Sequence, residues 1–303
     1  MNPLLHVLTG PTAVGKTALA LDWAEANNAE IVSCDSLLFY RGMDIGTAKP
    51  TAAERARVPH HLIDLCEVTE AMNVSHFTAL ARQAVAGIGA RGRAVLVVGG
   101  SGFYLRTFFA PVADEVMVAP ELRAAVAAKL QAEGLPALVA ELVTLNPQGL
   151  GALDTANPRR VVRALERSRA SGKTLAELQD EFARLPAPFA GWNVKCTLLD
   201  RAPADLEARI ARRVDAMLQG GLVAEVERLR QTGLTNNPGV ARAIGYRETL
   251  AMLAGELPRA ELAAEICKNT RALVKKQRTW FRTQLPAHRV LNAETAGVAE
   301  LFV

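Results

Sequence analysis

The sequence predicts an α/β fold with a parallel sheet, a helical insertion and a helical C-terminal part, and three observations predict it. Short apolar, partly β-branched runs ending in Gly or Asp alternate with stretches of helical spacing in roughly the first hundred residues. That rhythm of strand, helix and strand folds into parallel strands flanked by helices. A glycine-rich loop joins the first such run to the first helical one, and beyond about Pro120 the strand signals stop.

The elements follow in order. "LLHVLTG" (4–10), "EIVSCD" (30–35) and "AVLVVGG" (94–100) read as buried strands, and "TALALDWAEA" (17–26) and "FTALARQAVAGIGA" (77–90) as helices between them. "PELRAAVAAKLQAEGLPALVAELVTLN" (120–146) and "NPRRVVRALERSRASGKTLAELQDEF" (157–182) are Ala/Leu-rich with a period near 3.6 and hold no strand candidate. "NVKCTLLD" (193–200) resumes the sheet. The expected organisation is a core in two parts, 1–115 and 193–303, interrupted by a helical insertion at 116–192. In such sheets ligands bind at the carboxyl ends of the strands.

Composition narrows the function classes. Cys34, Cys66, Cys196 and Cys267 lie far apart and form no CxxC pair, which argues against a zinc knuckle or a disulfide framework. Without a signal-like N-terminus or a long uncharged apolar run, the chain is expected to be cytoplasmic, with no membrane partner. Net charge is only +4, but Lys268 to Arg289 holds seven basic residues and no acid. A one-sided block of this kind favours a polyanion, with a solvated helix face as the plain alternative.

The loop Gly10, Pro11, Thr12, Ala13, Val14, Gly15, Lys16, Thr17 matches G-x-x-x-x-G-K-[ST] and stands between a strand and a helix, the context the motif requires. Its glycines let successive N–H groups face an anion, Lys16 adds charge, and the Thr17 hydroxyl is the expected ligand of a Mg²⁺ ion. A second "GKT" at Gly172–Thr174 lacks the upstream glycine and reads as a helix stop and restart. The fold expected is therefore a P-loop core like that of nucleotide kinases.

A nucleoside triphosphatase carries an acid at the end of a later strand. Here "AVLVVGG" ends in Gly99 and Gly100 before Ser101, and the acid follows the second strand as Asp35. A carboxylate there serves as a general base, as an indirect metal ligand, or as a helix N-cap. The loop predicts phosphate binding without specifying a nucleotide, so ATP-using nucleoside or nucleotide kinases and RNA-binding NTPases of the same fold stand as alternatives. His60 and His61 are adjacent, converge poorly on one ion, and are assigned a structural role.

With "DSLLFYRGMDIGTAKP" (35–50), "VPHHLIDL" (58–65), "VGGSGFYLR" (98–106), "NPRRVVRALE" (157–166), "ARAIGYRE" (241–248) and "TRALVKKQRTWFR" (270–282), the chain resembles the bacterial tRNA dimethylallyltransferase family over nearly its full length. The resemblance implies a monomeric prenyltransferase. It would use Mg²⁺ and dimethylallyl diphosphate to alkylate the exocyclic amine of the adenosine 3′ to the anticodon, releasing diphosphate. It implies that the loop holds a leaving group, that Asp35 takes the amine proton, and that Ser101 and Lys16 assist departure. Ser101 stands where many members carry Thr, and Leu37 and Leu38 fall where many place a glutamine-containing pair.

The same resemblance implies contacts to the tRNA anticodon stem-loop. They run through Asp35, Ser36, Leu37 and Leu38; through Ser101 and Arg123; through Arg159, Arg160, Val161, Val162 and Arg163; through Arg242, Ala243, Ile244, Gly245, Tyr246 and Arg247; and through Lys275, Lys276, Gln277, Arg278, Thr279, Trp280, Phe281 and Arg282. Cationic groups suit phosphates, and Tyr246, Trp280 and Phe281 are candidate stacking surfaces. Adjacent on one helix, Trp280 and Phe281 point apart, so one of them is expected in the core.

Overall fold

A computed structural model describes residues 2–114 and 116–303. Its strands are β1 (Leu4–Thr9), β2 (Ala29–Ser33), β3 (His60–His61), β4 (Ala94–Gly99), β5 (Asn193–Asp200) and β6 (Arg289–Asn292). They form one parallel sheet in the order β3-β2-β4-β1-β5-β6. The helices are α1 (Lys16–Ala26), α2 (Ala52–Arg57), α3 (Val74–Ala90), α4 (Gly102–Leu105), α5 (Pro120–Leu145), α6 (Pro158–Ser171), α7 (Leu175–Ala183), α8 (Pro203–Gln219), α9 (Leu222–Gln231), α10 (Pro238–Ala241), α11 (Tyr246–Leu253) and α12 (Leu262–Gln284). Among the described residues no helix is long and apolar enough to cross a membrane.

The central strands carry apolar residues at successive positions because both faces are covered. Leu5, Val7 and Leu8 of β1 and Leu96 and Val97 of β4 are fully buried. The register Thr9↔Gly99 and Thr9↔Leu198 brings the carboxyl ends of β4 and β5 beside that of β1, where the glycine-rich loop begins. Gly99 is required by that crowding, since a Cβ there would lie 2.0 Å from the Cys34 carbonyl oxygen.

Two strands lay outside the sequence expectation. β3 is only the His60–His61 pair, where the His61 Nε2 meets the buried Glu30 carboxylate at 2.6 Å and His60 Nδ1 meets the Val58 carbonyl. β6 interrupts the helical C-terminal part by pairing with β5, Thr197↔Arg289 to Asp200↔Asn292. Both are short, and β6 is largely exposed, so neither shows the apolar run by which strands are read.

The chain folds as two compact units, Met1–Val112 with Ala187–Val303, and Ala113–Pro186. The second is helical, with a core of its own around Val126, Leu138, Leu142, Val161, Ala164 and Leu165. Its helix ends are written locally. Asn157 caps α6 ahead of Pro158, Gly172 closes it in the left-handed conformation, and Thr174 opens α7 in a capping box with Glu177. The second "GKT" is thus a stop and a restart.

Candidate functional site

The carboxyl ends of β1, β2 and β4 open on one cleft of about 1440 Å³, within the sheet-bearing unit. Gly10 leaves β1 with φ 153°, and a Cβ on it would stand 2.4 Å from the Leu199 carbonyl oxygen; Gly15, with φ 106°, is the left-handed residue that turns the loop into α1. Lys16 Nζ donates to the Gly10 and Pro11 carbonyls at 2.8 and 2.9 Å. From outside, Arg201 Nε donates to Val14 O and Arg209 Nε to Ala13 O, each at 2.7 Å.

The electrostatics of this cluster are one-sided. Burial, and to a smaller degree the nearby Arg213, bring the Lys16 ammonium down to about 8, against the opposing pull of Asp35. Burial lowers the Arg213 guanidinium, with Asp35 partly restoring it; burial and then Arg201 lower Arg209. Cations held out of water and beside one another are relieved when an anion arrives. With Arg212, Arg242, Arg247 and Lys276, these groups make the cleft cationic, against Asp35 and Glu54 as its acids.

Asp35 follows β2 in a tight turn. Its Oδ1 accepts the Leu37 N–H at 3.1 Å, an Asx-turn and not a helix N-cap. Among the described residues Oδ2 has no hydrogen-bond donor, so one carboxylate oxygen faces the cleft unspent. Ser101 follows β4, and its Oγ accepts the Ser36 N–H at 3.2 Å and donates to the Ser36 hydroxyl at 3.4 Å. One hydroxyl thereby ties the β4 loop to the Asp35 loop.

Of the residues expected to face a ligand, Thr12, Ala13, Gly15 to Thr17, Asp35 to Leu38, Ser101, Arg242 to Ile244, Arg247, Lys276, Gln277, Trp280 and Phe281 line this cleft. Others do not serve as expected. Tyr246 is fully buried: its hydroxyl donates to Glu225 at 2.6 Å, and its ring packs where a Cβ on Gly46 would come within 2.5 Å. Phe281 is 1% exposed and belongs to the core, as does Val161 in the helical unit. Tyr246 therefore offers no stacking face, and Phe281 touches the cleft only as part of its floor, because an amphipathic helix turns its large apolar residues inward. Arg278 is held by Asp200 at 2.6 Å and by the Arg201 carbonyl, and Gln277 points into the crevice instead of outward.

Asp200 also corrects the expectation of no late-strand acid. It ends β5, next to β1, but its Oδ1 is engaged by Arg278 and by the Arg201 N–H, and it does not line the cleft. In the helical unit, Arg123, Arg159, Arg160 and Arg163 are exposed, Arg163 reaching Glu166 at 3.3 Å, while Arg167 is paired with Asp114.

The α8 arginines escaped the sequence reading, although Arg209, Arg212 and Arg213 sit at helical spacing in "EARIARRVD". Glu225 escaped it too. This buried carboxylate accepts the N–H groups of Asp44, Ile45 and Gly46 at 3.0, 2.7 and 3.0 Å, and so holds the loop that flanks the cleft. Nothing in a lone helical glutamate signals that it will anchor a loop about 180 residues away.

The parallel sheet, the phosphate-type loop and the cationic crevice define an α/β protein of the P-loop fold. A model of the IPP transferase family matches residues 38–284, and the chain belongs to that family. It is 67% identical over 292 residues to the tRNA dimethylallyltransferase of Opitutus terrae, covering 96% of this chain and 94% of that one. It is 42% identical to tRNA dimethylallyltransferase 1 of Trichlorobacter lovleyi, with 94% and 92% covered. The crystal structure of the Bacillus halodurans tRNA isopentenylpyrophosphate transferase superposes with a TM-score of 0.71 at 32% identity, over 98% of this chain and 93% of that one. A eukaryotic dimethylallyltransferase acting on tRNA superposes with a TM-score of 0.83 at 26% identity, over 96% and 74%.

Proposed function

We propose that this chain transfers a dimethylallyl group from dimethylallyl diphosphate to the exocyclic amine of the adenosine 3′ to the anticodon of tRNA, as a monomer in the cytoplasm. The observation that carries the reading is the set of three neighbouring strand ends: the phosphate loop after β1, Asp35 after β2 and Ser101 after β4. In the step, the amine nitrogen forms a bond to the first allylic carbon, the bond from that carbon to the bridging oxygen breaks, and diphosphate leaves. The amine proton passes to the free oxygen of Asp35, which a weakly nucleophilic aryl amine requires. Ser101, whose Oγ accepts the Ser36 N–H and donates weakly to the Ser36 hydroxyl, turns that proton from Ser36 to the departing oxygen. The loop amides, Lys16 and the α8 arginines receive the charge.

Thr17, in the first turn of α1 and on the cleft, supplies a hard oxygen beside the diphosphate site. Such a donor suits Mg²⁺, which takes one or two protein oxygens and completes its shell with phosphate and water. When bound there, the ion neutralises leaving-group charge. The exposed basic groups Arg159, Arg160, Lys275, Lys276 and Arg282 suit RNA phosphates, and Phe103, 55% exposed on the cleft, offers a ring to an unstacked base. Reaching the allylic carbon over the loop requires the adenosine to leave its stack.

The kinase and NTPase readings need a late-strand carboxylate on the cleft, and Asp200, its Oδ1 held by Arg278, is not among the residues lining it. The deciding assay incubates the protein and Mg²⁺ with unmodified tRNA and labelled dimethylallyl diphosphate, with ATP or GTP in parallel. Label is expected in tRNA with no nucleotide consumed. Nucleotide turnover without labelled tRNA would end the transferase reading.

A further inference from the structure

We propose that Gln277 is a positioning residue that sets the gap between the phosphate loop and the Gly100–Ser101 wall of the crevice, an inference whose kinetic arm rests on the transferase reading. The amide of Gln277 bonds in two directions. Its Oε1 accepts the Thr12 N–H at 2.9 Å, and its Nε2 donates to the Gly100 carbonyl at 3.0 Å. Only this amide orientation satisfies both neighbours, because an N–H must meet the oxygen and a carbonyl must meet the NH₂. One side chain on α12 thus bolts together the turn after β1 and the turn after β4.

The packing leaves little slack around it. A Cβ at Gly100 would stand 2.9 Å from Gln277 Nε2 and 2.9 Å from the Gly10 carbonyl oxygen. Three residues further along α12, Trp280 lies over Gly102, where a Cβ would come within 2.4 Å of the indole. The helix therefore presses on the Ser101 wall on both sides of the serine, at Gly100 through Gln277 and at Gly102 through Trp280, while Gln277 also hydrogen-bonds the loop. Thr12 lies inside the anion loop, so fixing its N–H sets the curl of that loop before an anion arrives. The Thr12 N–H itself is taken by Gln277, and the loop N–H groups that remain, held in that curl, do not have to be ordered when charge is delivered. A role for Gln277 in touching RNA, as the family resemblance implies, requires its amide to face outward, whereas both polar atoms are engaged within the chain.

The test compares wild type with Gln277→Met, which fills the space without either bond, and Gln277→Asn, which is too short to span both partners. Binding of inorganic diphosphate with Mg²⁺ is measured by calorimetry, binding of unmodified tRNA by filter retention, and transfer by steady-state kinetics. Both variants are expected to weaken diphosphate binding and raise KM for dimethylallyl diphosphate about tenfold, with kcat within about threefold and tRNA affinity within about twofold of wild type. A merely structural amide would lower the thermal midpoint and leave that KM in place. Diphosphate affinity within twofold of wild type, or a loss of tRNA affinity in its stead, overturns the proposal. If Gln277→Met does not fold, Gln277→Asn decides by the same thresholds. If wild type binds diphosphate but labels no tRNA, the transferase reading fails while the two binding measurements still judge Gln277.

Discussion

At the scale of single residues, two groups carry the chemistry and each has a measurable signature. Asp35 spends one oxygen on its own turn and keeps the other on the cleft. Asp35→Asn preserves the shape and the Asx-turn acceptor but cannot take a proton, so kcat is expected to fall by about a hundredfold or more with tRNA affinity nearly unchanged. An equal loss of binding in a filter assay would make Asp35 an RNA contact instead. Lys16 is the second group. Its folded value of about 8 lies below that of an unfolded lysine, so the unfolded chain binds more protons between those values. The sign follows: burying this ammonium costs stability below about pH 8, and the cost is relieved as pH rises toward the unfolded value. Diphosphate favours the charged form, so binding near and above pH 8 should take up a fraction of a proton at Lys16, and less as pH falls below that value. Calorimetry in buffers of different ionisation enthalpy reads this uptake, and it should vanish in Lys16→Arg, whose side chain stays charged. Uptake that persists in Lys16→Arg would assign the proton to another group.

At the scale of elements, α12 shows what a charge pattern reveals and what it conceals. Its basic block was legible as a run without acids, but the run does not say which members are free. Lys275, Lys276 and Arg282 are exposed, whereas Arg278 is drawn onto Asp200 across the sheet edge. The double variant Lys275→Ala with Lys276→Ala is therefore expected to weaken tRNA binding and to flatten its logarithmic salt dependence by about 2, one for each phosphate that no longer meets a cation. Arg278→Ala should leave that slope in place and lower stability by about 1 kcal/mol, a value discounted because the pair is partly exposed. A flatter slope in Arg278→Ala, with unchanged unfolding, would return this residue to the RNA. The phosphate loop was readable because its chemistry is backbone chemistry with fixed spacing. The α8 arginines and Glu225 were not, because their partners lie on segments that only the fold brings near.

At the scale of the whole molecule, strands buried on both faces and capped helices were legible, since each is a local pattern, while the edge strands β3 and β6 were not, since pairing alone makes them strands. The insertion was legible by its loss of strand signals, and its independence has a physical basis in its own six-residue buried core. The chain leaves the sheet unit after Val112 and re-enters it at Ala187, and just inside those points Phe108 and Phe189 stack with ring centroids 4.7 Å apart. The two ends thus start from neighbouring points of the sheet unit itself, so a flexible linker cut to that span should replace 113–186. The anion loop, Asp35, Ser101, α8 and α12 all remain in what is left. Diphosphate affinity with Mg²⁺ is accordingly expected to stay within about threefold of wild type, while tRNA affinity, deprived of Arg123, Arg159, Arg160 and Arg163, should fall by about a hundredfold or more. A deletion variant that folds by circular dichroism yet loses diphosphate binding would mean that the crevice is not complete without the helical unit. One that keeps tRNA affinity would move the RNA-binding face onto α12 and the cleft alone.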